Sequence, residues 1–107
     1  MKVYICSPYR GDKLQNSLTA KRMCRIAYLC GMRPIATHLF YPQFLDDEKP
    51  IERETAFAWA REELASCDLV WQLSGPISEG MAMEIAHAKK LGIPVVKISF
   101  VREMADV

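Results

Sequence analysis

"SEGMAMEIAHAKKLGIPV", residues 78–95, decides the reading of this chain. It divides into the end of a loop, a helix over 81–91, a stop at Gly92 and the start of a strand at Ile93. Glu84 falls about one turn inside that helix, among small and apolar neighbours. A carboxylate in a half-buried helix face requires either an ionic partner or a chemical task.

Working outward, the same alternation of strand and helix runs through the chain. A first strand occupies Lys2–Cys6, rich in β-branched and aromatic residues. The loop "SPYRGD" follows, broken by Pro8 and Gly11. A helix over 14–30 shows its inward stripe at Ala20, Met23, Cys24, Ala27 and Tyr28, and Gly31 ends it. "PIATH", 34–38, reads as strand two. "LFYPQFLDDEKP" is a long aromatic connection of the kind that often carries function. A helix over 51–66 turns Ala56, Phe57, Ala60 and Leu64 inward and leaves Trp59 off the stripe. "DLVWQL" is strand three, "SGPISEG" a loop, and "IPVVKISF" strand four. The pattern predicts an α/β fold, a three-layer α/β/α sandwich with a four- to five-stranded parallel sheet, Rossmann- or flavodoxin-like. One domain over 1–107 is expected, with no repeats or linkers. Ligands of such sheets bind beyond the carboxyl ends of the strands. That places any chemistry on "SPYRGD", "THLFYPQFLDD" and "SGPISEG".

Composition narrows the function classes. The 107 residues are 50% hydrophobic and 25% charged, with a formal net charge of +1. No basic field argues for nucleic acid. No apolar run reaches membrane-spanning length. The four cysteines form no CxxC pair and are expected as buried thiols in a reducing compartment. His38 and His87 stand at no ligand-type spacing to them, so no metal site is expected. The first residues, "MKVYIC", read as a strand rather than a leader, and the expected setting is the cytoplasm.

Two phosphate motifs fail. "SPYRGD" has a single glycine and is no GxGxxG. Gly75 and Gly80 have P-loop spacing, but Met81 and Ala82 stand where Lys and Ser/Thr are needed. Instead, Ser7, Arg10 and loop amides are candidates for a ribose hydroxyl or a phosphate, unless "SPYRGD" is an ordinary turn with a solvated arginine. Ser78 can cap the following helix, hold an anion there, or do both. Helical side chains lean toward the N-terminus, so Glu84 points back toward "SGPISEG", where the helix dipole favours its ionised form. It has the properties of an anionic nucleophile. The alternative is a structural salt bridge, for example with Arg10.

"SEGMAMEIAHAKKLGIPV" resembles the signature segment of the nucleoside 2-deoxyribosyltransferase-like superfamily. "YICSPYRGD" resembles the opening of its deoxynucleoside 5'-monophosphate N-glycosidases. The chain as a whole is most similar to short uncharacterised phage and bacterial members. The resemblance implies Glu84 as the nucleophile, Ser78 at a phosphate- or sugar-binding position and Gly80 as a close-approach glycine. Tyr4, Arg10 and Gly11 match the N-terminal motif. One position departs. Counting back from Asp68, the acidic residue expected on the preceding helix falls at Ala60. Glu62 and Glu63 lie half a turn further on, and Asp46 or Asp47 are possible substitutes.

The expected function is cleavage or transfer at the N-glycosidic bond of a nucleoside or nucleoside 5'-monophosphate, with Glu84 attacking the anomeric carbon. Tyr4, Ser7, Arg10, Gly11, His38, Ser78 and Gly80 are the candidate binding residues. Tyr4, His38, Phe40 and Tyr41 are candidates for a base pocket. No metal or other cofactor is required. A nucleoside or nucleotide is the expected partner, with neither nucleic acid nor membrane. Trp59 and the resemblance together point to a homodimer or larger homo-oligomer. The alternatives are a non-catalytic nucleotide sensor on the same fold, or a structural phage-type protein.

Overall fold

The computed structural model describes residues 1–100. Five-residue β1, Lys2–Cys6, lies near the middle of a four-stranded parallel sheet of order β2-β1-β3-β4. The other strands are β2, Arg33–Ile35, β3, Leu69–Leu73, and β4, Val95–Ile98. Tyr4 pairs with Ile35 on one side and with Val70 on the other. The chain leaves β1 in one direction to reach β2, then crosses back to β3. The carboxyl ends of β1 and β3 therefore form the switch point at which open parallel sheets bind ligands.

Helices cover both faces, as the strand–helix alternation predicts. α1, Lys13–Leu29, packs Met23 and Ala27 against Val3, Ile5 and Trp71. α3, Pro50–Ala65, and α4, Glu79–Lys90, take the opposite face. There Leu64, Met81 and Ala88 bury Tyr4, Cys6 and Val70. The strict two-residue alternation of β1 sends Val3 and Ile5 to one core and Tyr4 and Cys6 to the other. The left-handed backbone of Gly31, at φ 80°, turns the chain out of α1.

Several details differ from the sequence reading. "PIATH" is strand only to Ile35. Thr37 and His38 belong to α2, Thr37–Phe40, which continues into a 3-10 turn over Tyr41–Gln43. Gln43 Nε2 donates to the Leu39 carbonyl and so ties that turn together. Tyr28, expected inward, is 64% exposed, at the margin of a stripe whose neighbour Ala27 is fully buried. Its ring lies against Arg25 instead. Of the cysteines, Cys6 and Cys67 are buried, Cys24 is half-buried and Cys30 is exposed. Trp59 is 40% exposed, yet it stacks edge-on against Tyr41 at 5.5 Å. No helix among the described residues is long and apolar enough to cross a membrane.

Leu64 is fully buried on the face shared by α3 and α4. Leu64→Ala should cost roughly 2–5 kcal/mol in urea unfolding, whereas Tyr28→Ala should fall within about 1 kcal/mol of the parent. Equal losses would show that the two faces of the sheet are not packed as described.

Candidate active site

A cleft of about 320 Å³ opens at the carboxyl edge of β1 and β3. That is within the range of pockets that hold a small organic ligand. Ser7 comes from the end of β1, and Thr37 and His38 from α2. Ala56, Phe57 and Ala60 form the α3 wall, and Ser78, Gly80 and Glu84 come from the start of α4. Four separate stretches of chain meet there, and three of them follow the carboxyl ends of β1, β2 and β3, which the parallel topology delivers to one edge.

Glu84 stands at the floor. The Tyr4 hydroxyl donates to its Oε2, and the same hydroxyl lies 2.9 Å from Thr37 Oγ1. Tyr4 is completely buried. It therefore lies behind the cleft and outside its lining, and its place in β1 fixes where the carboxylate sits. Burial pushes the Glu84 carboxyl up to about 7, while hydrogen bonds from Tyr4 and Cys6 pull the other way. Burial also drives the Tyr4 phenol and the Cys6 thiol well above their ordinary values, and the nearby Glu84 charge adds to both. These two groups thus remain protonated donors. The expected dipole stabilisation of Glu84 is outweighed. Glu84 is the sixth residue of α4, and the helix-end field fades beyond the first turn. Burial decides the outcome.

Ser7 and His38 form a second linked pair. Ser7 Oγ lies 2.8 Å from His38 Nε2. Burial lowers the His38 imidazole to about 4, so it is neutral at physiological pH. Ser78 is the N-cap of α4, its hydroxyl accepting from the Met81 amide at 3.2 Å. It also lines the cleft, so capping and ligand contact are compatible.

Arg10 does not pair with Glu84. Its Nε donates to Asp47 Oδ2 at 2.9 Å and its Nη2 to the Asp47 carbonyl at 3.0 Å. Lys13 Nζ reaches the other carboxylate oxygen at 3.5 Å. Burial alone would raise the Asp47 carboxyl, but the contacts with Arg10 and Lys13 hold it below the usual range. This clamp fastens the long connection over 41–49 to the first loop and leaves Arg10 at the cleft mouth.

Other candidates sit elsewhere. Gly11 has φ 94° and serves the turn into α1, away from the cleft wall. Phe40 is 59% exposed and packs on Tyr41 and Phe44, so only Tyr41 of that pair enters the wall. A Cβ at Gly80 would meet Phe57 at an ordinary 3.9 Å. Packing within the chain therefore does not require this glycine, and its bareness leaves space in the cleft. Ala60 lines the cleft, and Glu62 and Glu63 are exposed outside it. Asp46 accepts from the Glu48 amide, closing the turn ahead of α3.

Sequence reasoning missed Thr37, Glu52 and Arg53. The last two extend the inward stripe of α3 one turn toward its start, a 3.6-residue signal that was available. Thr37 was read as strand, and only the early end of β2 brings it under Tyr4. No group of three or more potential ligands among the described residues is placed to hold a metal.

Solved structures share this fold. The chain is similar to a 2-deoxyribosyltransferase from the psychrotolerant bacterium Bacillus psychrosaccharolyticus, with a TM-score of 0.72 and 20% identity. The match covers 92% of this chain and 72% of that one. It is also similar to a 2-deoxyribosyltransferase from Leishmania mexicana, with a TM-score of 0.63 and 15% identity, covering 92% of this chain and 63% of that one. The four-stranded parallel sheet flanked by helices is thus the 2-deoxyribosyltransferase fold, in a chain spanning about two thirds of those proteins' length. No curated protein matches the sequence. A family model described as Domain of unknown function (DUF7768) matches residues 1–98. Since that span runs from β1 to the end of β4, the chain belongs to the DUF7768 family.

Proposed function

We propose that this protein cleaves or transfers at the N-glycosidic bond of a nucleoside or nucleoside 5'-monophosphate, with Glu84 as the nucleophile. The observation that carries the reading is the Glu84 carboxyl at the floor of a nucleoside-sized cleft, fixed by a buried tyrosine hydroxyl. A Glu84 oxygen bonds to C1' of the sugar as the bond to the base breaks. Water or a second base then displaces the carboxylate from C1', as in retaining glycoside chemistry. The Tyr4 hydroxyl holds the attacking group in line and stabilises its charge. In this reading the Ser7–His38 pair meets a sugar hydroxyl, and Arg10 at the mouth meets a 5'-phosphate. The likeness to 2-deoxyribosyltransferases supports the same class of bond.

A second reading retains the cleft without the chemistry. Ala60, at the position where the resemblance expects an acid, favours a nucleotide-binding module. Mixing the protein with nucleosides and their monophosphates and measuring free base separates the two. Base release supports the enzyme; ligand-induced thermal stabilisation without release supports the module.

Glu84→Gln keeps shape and removes the charge. It should lower base release by about two orders of magnitude or more. In the parent, the rate should rise with pH toward the Glu84 value of about 7, as the carboxylate forms. The stability effect has the opposite sense. The folded carboxyl lies above its ordinary 4.5, at about 7. Between those values the folded state keeps a proton that the unfolded chain gives up, so stability falls as pH rises through this window and levels off above it. The Gln variant lacks that slope. At about pH 8 it should be more stable than the parent, by roughly 1–3 kcal/mol. Unchanged turnover, or lower stability at that pH, would contradict the assignment.

Arg10→Ala should weaken monophosphates by roughly tenfold or more and free nucleosides far less, measured by calorimetry. Equal losses for the two classes would remove Arg10 from phosphate recognition.

The exposed aromatic faces of Phe40, Phe44 and Trp59 beside the cleft support association of copies of the chain, since such residues are enriched at interfaces. Light scattering should give a mass of at least a dimer, and Trp59→Glu should lower it. A monomeric parent at micromolar concentration would reject the assembly.

A further inference from the structure

Beside Glu84, the titratable groups of the cleft are exposed, phenolic or already engaged: Glu79 is exposed in the first turn of α4, and Tyr9 and Tyr41 bring phenol hydroxyls. The middle of the α3 wall is Ala56, Phe57 and Ala60, with Glu52 and Arg53 one turn nearer the helix start. His38 is a neutral imidazole whose Nε2 already engages Ser7. Asp47 spends its carboxylate on Arg10 and Lys13. Glu52 accepts from the Asp46 amide at 3.0 Å and faces Lys49 at 3.7 Å. Neutral purines and pyrimidines leave slowly unless a ring nitrogen is protonated, and a positioned acid is worth about 10²–10⁴ in rate. A base already carrying a ring positive charge leaves as a neutral molecule and needs no such acid.

We propose that the site acts on nucleosides or nucleotides whose base is a fixed cation, a pyridinium or an N7-alkylated purine. This rests on the reading of Glu84 as the nucleophile. The surroundings fit a flat cation. Asp47, Glu52, Glu79 and Glu84 line the cleft, against the guanidinium groups of Arg10 and Arg53 alone. Its rings already attract cations: Arg53 lies 5.2 Å from the Phe57 centroid and Lys13 5.2 Å from that of Tyr9. Glu84 itself adds a coupling. A neutral ligand seated over it strips water and pushes the carboxyl further toward its protonated, non-nucleophilic form. An adjacent cation does the reverse and holds the nucleophile ionised.

The step balances without a donor. A Glu84 oxygen bonds to C1' and the C1'–N bond breaks. Its electron pair passes to the ring nitrogen and cancels the positive charge. Water then bonds to C1', the pair of the C1'–O(Glu84) bond returns to the carboxylate, and the surplus proton of that water passes to solvent. One water is consumed and one proton released per turnover.

The test compares 7-methylguanosine with guanosine, and nicotinamide riboside with adenosine, each also as the 5'-monophosphate and in the deoxyribose form. The full chain should cleave the cationic member of each pair with kcat/KM higher by about 100-fold or more, and Glu84→Gln should abolish the release. Ala60→Glu, which adds a carboxyl to the middle of the α3 wall, should narrow that ratio by about tenfold by raising the neutral-base rate. Glu84-dependent cleavage of neutral nucleosides at rates equal to or above those of their cationic partners would overturn this inference while leaving the Glu84 mechanism standing. A ratio unmoved by Ala60→Glu would also count against it, because the α3 wall would then not be where the donor is missing. If no member of any pair is cleaved, both this inference and the mechanism fail.

Discussion

Burying one carboxyl against one tyrosine hydroxyl is the constraint on which the rest of this structure turns. Tyr4 sits in the central strand, wholly enclosed, and its hydroxyl bridges Thr37 from α2 and Glu84 from α4. A lone buried carboxylate in an apolar core would be costly. Here burial has been met by holding the carboxyl near 7 and supplying it with donors. β1, α2 and α4 must all be in register for that contact to form. The contact therefore specifies the relative position of three elements as well as the place of the Glu84 carboxyl.

The rest of the cleft follows from the same topology. The carboxyl ends of β1 and β3 are adjacent only because β2 and β4 lie on opposite flanks. The connection after β2 folds back as α2 and a 3-10 turn, and the contact of Asp47 with Arg10 ties it down. That ion pair is partly exposed, so its energy is modest. Its consequence is geometric, since it sets the cleft mouth and places a guanidinium there. The Tyr41–Trp59 contact anchors the same connection to α3. The cleft is thus closed by a segment that supplies little of the core, which is where loops and short helices can vary without loss of the sheet.

Much of the fold was legible because its strands and helices differ in period. β1 and β3 read as short apolar runs bounded by turn residues, and α4 as a 3.6-residue stripe ending at glycine. Glu84 was legible for a related reason: a carboxylate on a buried stripe breaks the pattern. Two kinds of fact were not legible. The end of β2 depends on where "IATH" meets Tyr4, a tertiary contact with no local signature. Arg10 could have faced Glu84 or solvent, and its choice of Asp47 reflects a long-range fold of the connection. The ionisation of Glu84 was misjudged because helix position was weighed without burial, and at this partly buried position desolvation outweighs a fading dipole. Tyr28 followed the stripe of α1 but stands at its margin, where periodicity reports burial least well.

The most direct measurement of the central claim is mass spectrometry of the acid-quenched protein after incubation with a nucleoside fluorinated at the sugar 2' position. The fluorine slows displacement of a sugar ester by destabilising positive charge at C1'. The account predicts an adduct of the fluorosugar mass, located after digestion on the peptide carrying Glu84 and absent from the Glu84→Gln variant. Base release with no adduct, or an adduct on any other residue, would contradict it.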